Sequence, residues 1–104
     1  MNSNLENYIK INASKSFKDT LFEMIDRKQM SEVEVYKKAM ITRNVFHTIR
    51  IQKRPSKNTI IRLAIALESN KEDLIKLLNS AGYSINYNDK FDLIVLYHIE
   101  KGGL

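Results

Sequence analysis

Helix-start signals recur along this chain at intervals too short for anything but a set of small helices. Ser16 precedes Asp19 by three residues, Ser31 precedes Glu34, and Asn70 precedes Asp73. Each pair matches a capping box or a close variant of it, in which a side-chain oxygen accepts from the backbone N–H three residues on. Thr42 and Ser56 supply two further caps, and Asn88 or Asp89 a sixth. After each signal the apolar residues return at helical spacing. Phe17, Leu21, Met24 and Ile25 form the first stripe, with Phe22 beside it. Val35, Tyr36 and Ala39 form the second, Phe46 and Ile49 the third. Ile60, Leu63, Ala64 and Leu67 form the fourth, widened by Ile61 and Ile65, and this helix is expected at the centre of the core. Leu74, Ile75, Leu77 and Leu78 form the fifth, and Gly82 stands where a helix would stop.

The two ends read differently. Residues 1–15 are polar apart from Leu5, Tyr8, Ile9 and Ile11. They are expected to form an irregular arm, with a short strand near Tyr8–Ile11 as the competing reading. Residues 90–101, KFDLIVLYHIEK, are apolar on more than one side. Their cap and flanking charges favour a sixth helix, while the run LIVLYHI, which lacks a clear period, also admits a strand. A helix apolar on several faces needs a second partner beyond its own core. Phe91, Ile94, Val95, Tyr97 and Ile99 are therefore the expected homodimer surface.

Charge narrows the function. The chain carries 17 Lys and Arg against 12 Asp and Glu, a net charge of +5. No acidic residue lies between Glu34 and Glu68, a span that holds Lys37, Lys38, Arg43, Arg50, Lys53, Arg54, Lys57 and Arg62. Eight cations without a single anion suit a polyanionic partner better than a merely solvated face. At 104 residues one domain is expected. Cysteine is absent, so no disulfide or thiolate metal site exists, and a reducing cytoplasm is the expected compartment. His47 and His98 have no second ligand at metal-binding spacing. Nucleophile–base pairs and phosphate-cradling glycine loops are also missing, so neither an enzyme nor a cofactor is expected. No apolar run is long enough to cross a bilayer.

The segment from residue 16 to residue 82 resembles the Xre/Cro-like, lambda-repressor-like helix-turn-helix family. PSKNTIIRLAIALESNKEDLIKLL, Pro55 to Leu78, is similar to that family's fourth and fifth helices, and VYKKAMITRNVFHTIR to its two motif helices. The resemblance implies an all-α, five-helix bundle, here with an additional C-terminal helix. It divides the chain into an arm (1–15), a helix-turn-helix domain (16–82) and a terminal helix (83–104). It also implies double-stranded DNA as partner, with the third of these helices in the major groove. Carried over by position, Arg43, Asn44, His47 and Thr48 would meet base edges. Arg50, Lys53, Arg54 and Lys57 would meet phosphates. The sequence departs from the family at three positions. Glu32 replaces a glutamine at the start of the first motif helix and needs Arg43 or Arg50 to neutralise it near phosphate. Tyr36 replaces a small residue, and Met40 replaces the turn glycine and is expected to avoid the left-handed backbone. Such departures also fit a protein-interaction adaptor that reuses the scaffold, with a protein partner in place of DNA.

Overall fold

The computed structural model describes residues 3–102, which form seven α-helices and, among the described residues, no strand. The helices are α1 (Ser3–Asn12), α2 (Phe17–Arg27), α3 (Glu32–Lys38), α4 (Arg43–Arg50), α5 (Lys57–Ala66), α6 (Lys71–Ser80) and α7 (Lys90–Glu100). Every expected cap is made. Ser16, Ser31, Thr42, Ser56 and Asn70 each accept from the backbone N–H three residues on, and Asp89 accepts from Phe91. At Ser31 the box is reciprocal, because Glu34 accepts from the Ser31 N–H in return.

The C-terminal ends follow one rule as well. Helices α2 to α6 each close with paired backbone bonds reaching back five and three residues, such as Ile41 N–H to Tyr36 O and Met40 N–H to Lys37 O. This closure places one residue in the left-handed region. Gly82 fills that position after α6, at φ +82°. After α2, α3, α4 and α5 it is filled by Gln29, Met40, Gln52 and Glu68, at φ between 52° and 62°. Met40 therefore adopts the backbone it was expected to avoid. The two closing hydrogen bonds offset the crowding of its Cβ.

Burial confirms α5 as the centre. Ile60, Leu63, Ala64 and Leu67 have no exposed surface, and Ile61 and Ala66 almost none. Around them sit Leu21 and Ile25 of α2, Val35 of α3, Phe46 and Ile49 of α4, and Leu74, Leu77 and Leu78 of α6. The run that admitted a strand is helix α7. It adds Val95, Leu96 and Ile99 to the same core, each 8% exposed. A period near 3.6 carries these residues on one face together with Asp92.

Asp92 pins α7 to α5. Its side chain is 2% exposed and accepts from Lys57 Nζ and, at 2.8 Å, from the Asn86 N–H. Burial pushes its pKa up, but the hydrogen bonds from Lys57 and Asn86 and the charge of Lys57 outweigh that, leaving it below its ordinary 3.8. Three other ion pairs join neighbouring helices: Arg27 to Asp73 at 2.9 Å (α2 to α6), Lys71 to Glu100 at 3.2 Å (α6 to α7) and Arg50 to Glu32 (α4 to α3).

Residues expected to be irregular or a strand form α1 instead. Nothing in it is buried: Leu5, Tyr8, Ile9 and Ile11 are 50%, 66%, 53% and 80% exposed. The radius of gyration is 15.0 Å, against about 13 Å for a compact chain of this length. Helix α1, with no buried residue, accords with that excess.

A carboxylate whose folded pKa is depressed stabilises above its unfolded pKa and loses that contribution as pH falls. Asp92→Asn is expected to destabilise the fold by about 3 kcal/mol, the low end for a broken buried pair because Lys57 is 28% exposed. The gap between the two melting curves should be full at neutral pH and shrink as pH falls below 3.8; thermal denaturation across pH 2.5–7 (roughly the useful range) measures it.

Candidate nucleic-acid interface

Helix α4 presents a two-sided surface. Phe46 and Ile49 are buried, at 3% and 1% exposure, and fix its roll. That roll leaves Arg43, Asn44 and His47 exposed on the opposite side. None of the three makes a side-chain hydrogen bond or ion pair with another described residue. Thr48 is half-buried, and its hydroxyl donates to Val45 O at 2.6 Å. It can still accept, but its donor is engaged within its own helix. Of the four residues expected at base edges, three thus share one open face and the fourth borders it.

The seating of α4 involves Glu32, Tyr36 and Met40 at the α3–α4 corner. Tyr36 packs against Phe46 with ring centroids 5.7 Å apart, and Phe22 meets Phe46 edge-on at 5.7 Å. Arg50 lies over Phe22 and Phe46, at 5.5 and 5.9 Å from their centroids, and pairs with Glu32. Glu32, at the start of α3, is thus neutralised by Arg50 of α4, one of the two residues named for that task. The large side chain at 36 fills the angle between α3 and α4. The turn between them is tied from below, where Arg62 Nη1 donates to Met40 O at 3.2 Å.

The other cations divide. Arg54 sits 4.0 Å from the centroid of Tyr83 and donates to the carbonyls of Ala81 and Gly82 at 2.8 and 3.3 Å. It caps the negative end of α6, while Tyr83 Oη donates to Pro55 O at 2.9 Å and closes the same corner. Lys57 holds Asp92. Lys53 is exposed and makes no side-chain bond among the described residues. Of the four residues expected at phosphates, three therefore have partners inside the protein and Lys53 does not. Across the acid-free span, Arg50, Arg54, Lys57 and Arg62 are bound internally, while Lys37, Lys38, Arg43 and Lys53 remain outward. Arg50 and Lys57 are compensated by carboxylates, whereas Arg54 and Arg62 brace carbonyls and keep their charge at the surface.

Lys18 was missed by sequence reasoning. It borders a hollow of about 210 Å³ shared with Lys53 and Arg54, where the start of α2 meets the α4–α5 loop and the end of α6. No local signal could have found it, since 35 residues separate it from Lys53 and only the packing of α2 on α6 brings them together.

The five residues expected at a dimer surface also divide. Val95 and Ile99 face the protein's own core, whereas Phe91, Ile94 and Tyr97 are 53%, 48% and 59% exposed. No described helix is long and apolar enough to cross a membrane. No protein-family model matches the sequence, and no match was found to a curated protein or a solved structure.

Met40 is 81% exposed, so its side chain contributes little packing. Met40→Gly removes the Cβ strain at φ +58° and is expected to stabilise the protein by about 0.5–1 kcal/mol, after the entropy lost by introducing glycine. This should raise Tm by about 2–6 °C, measurable by calorimetry.

Proposed function

We propose that this protein binds double-stranded DNA sequence-specifically as a small transcriptional regulator of the Xre/Cro-like kind. In this reading α3 and α4 are the helix-turn-helix and α4 enters the major groove. The observation that carries it is the outward face of α4, where Arg43, Asn44 and His47 stand exposed and unpaired among the described residues, with Phe46 and Ile49 anchoring the back of the same helix. The chemistry suits base edges. A guanidinium forks onto guanine O6 and N7, and a carboxamide pairs with adenine N6 and N7. Lys53, just after α4, supplies a cation for phosphate, which sets register without reading sequence. Two copies joined through Phe91, Ile94 and Tyr97 of α7 would present two such helices to an inverted repeat, about 34 Å apart.

A second reading rests on the inward commitment of Arg50, Arg54, Lys57 and Arg62, which leaves fewer cations for a duplex than composition suggests. It makes the chain a protein-interaction adaptor built on the same scaffold, with a co-transcribed enzyme or toxin as the class of partner.

Selection of bound sequences from random duplexes, followed by anisotropy titration at two salt concentrations, decides between them. The DNA reading expects a symmetric selected site. Arg43→Ala and Asn44→Ala should each remove about 1–3 kcal/mol of discrimination. Lys53→Ala should weaken all duplexes alike and reduce the salt slope by about 1. A selection that enriches nothing, with a stable hetero-complex on co-purification, establishes the adaptor instead.

A further inference from the structure

We infer that α1 of one copy lies in the groove between α5 and α7 of a second copy, so that two chains exchange their first helices. This keeps the dimer of the reading above but seats α1, rather than a second α7, on α7, and it is independent of whether DNA binds. Twelve large apolar residues are exposed among the described residues, and eight of them lie on α1 and α7: Leu5, Tyr8, Ile9 and Ile11, and Phe91, Leu93, Ile94 and Tyr97. The unpartnered apolar surface is therefore concentrated on two helices rather than scattered, as single exposed residues would be.

The two faces are complementary. The groove has a volume of about 720 Å³ and is lined chiefly by Ile61 and Ile65 of α5 and by Phe91, Ile94, Val95 and Ile99 of α7. Helix α1 carries Leu5, Tyr8 and Ile9 at i, i+3 and i+4, a single stripe of apolar side chains. Ten residues make a rod of about 15 Å, close to the length of α7. Charge sets the approach. Glu6 flanks the stripe while Lys10 lies on the far side of the helix, and the groove bears Lys38 and Arg62 against the single acid Glu68.

Helix α1 also requires a cover. A helix of ten residues with nothing buried is marginal in water, so a surface that receives its stripe explains why it forms. The chain's own groove does not do so. Lys15 is tied to Glu23 at 2.5 Å, which leaves Ala13 and Ser14 as the joint. In the single chain Leu5, Tyr8 and Ile9 stay 50%, 66% and 53% exposed and so do not enter the groove. A second molecule supplies the groove.

Cysteine is absent from the chain, so single thiols report contacts cleanly. Full-length Ile9→Cys and Ile94→Cys proteins are mixed without DNA and treated with a short bifunctional maleimide. A covalent heterodimer is expected from the mixture, and little from either variant alone. Sedimentation equilibrium should give a species of twice 12.1 kDa for the unmodified chain and a monomer for the Leu5→Asp/Ile9→Asp double variant, which alters no buried residue. Glu6→Lys should weaken the dimer about threefold. A monomeric unmodified chain, or a dimer that survives Leu5→Asp/Ile9→Asp, overturns the proposal. So does cross-linking of Ile94→Cys with itself in preference to the mixture, which would mean α7 packed on α7. Because no duplex is present, a failure to bind DNA leaves this result standing, and the reverse also holds.

Discussion

Helices of seven to eleven residues are not stable in water by themselves. The structure therefore depends on one constraint: α5 is apolar on nearly all sides and has to be surrounded. Ile60, Ile61, Leu63, Ala64, Ala66 and Leu67 cannot be covered by any one neighbour. Helices α3 and α6 pack directly on α5, while α2, α4 and α7 complete the core around it. Each of them gives up a stripe and keeps a wet face. Truncating one of these fully buried leucines would cost about 2–5 kcal/mol, comparable with the whole stability of a domain this small. The outward face of α4 is a by-product of this arrangement, because the burial of Phe46 and Ile49 decides which way Arg43, Asn44 and His47 point.

Electrostatics follow from the same packing. A cation in the acid-free span is drawn inward wherever short helices leave carbonyls or a buried carboxylate to satisfy. Arg54 meets the end of α6, Arg62 the turn after α3, and Lys57 the buried Asp92. Arg50 balances Glu32 and covers two aromatic rings. These contacts stiffen the corners on either side of α4 and so hold its exposed face in place. Charge in a sequence window and charge on a surface are different quantities: of the eight cations here, Arg50 and Lys57 are balanced by carboxylates.

The bulky and charged side chains at the α3–α4 corner are accommodated as a group. Tyr36 fills space against Phe46, Glu32 takes Arg50, and Met40 accepts a left-handed backbone because Ile41 and Met40 both donate back into α3. Changes that look disruptive one at a time compensate one another once α3 and α4 touch. The same kind of left-handed residue closes α2, α4 and α5, so the absence of glycine at these ends is a habit of this chain rather than a defect of one turn.

The chain's own order of residues was enough to place six helix starts, the core stripes of α2 to α6, the stop at Gly82 and the central role of α5. Those features come from interactions three to five residues apart, or from a periodicity visible in a single segment. Packing between distant segments decided the rest. It chose which of eight cations stay outward, turned Val95 and Ile99 inward and left Phe91, Ile94 and Tyr97 out, and brought Lys18 beside Lys53. It also left α1 as a helix without a cover. The physical reason is range: a cap or a stripe is local, whereas an ion pair such as Lys57 with Asp92 spans 35 residues and forms only when α5 and α7 are already side by side.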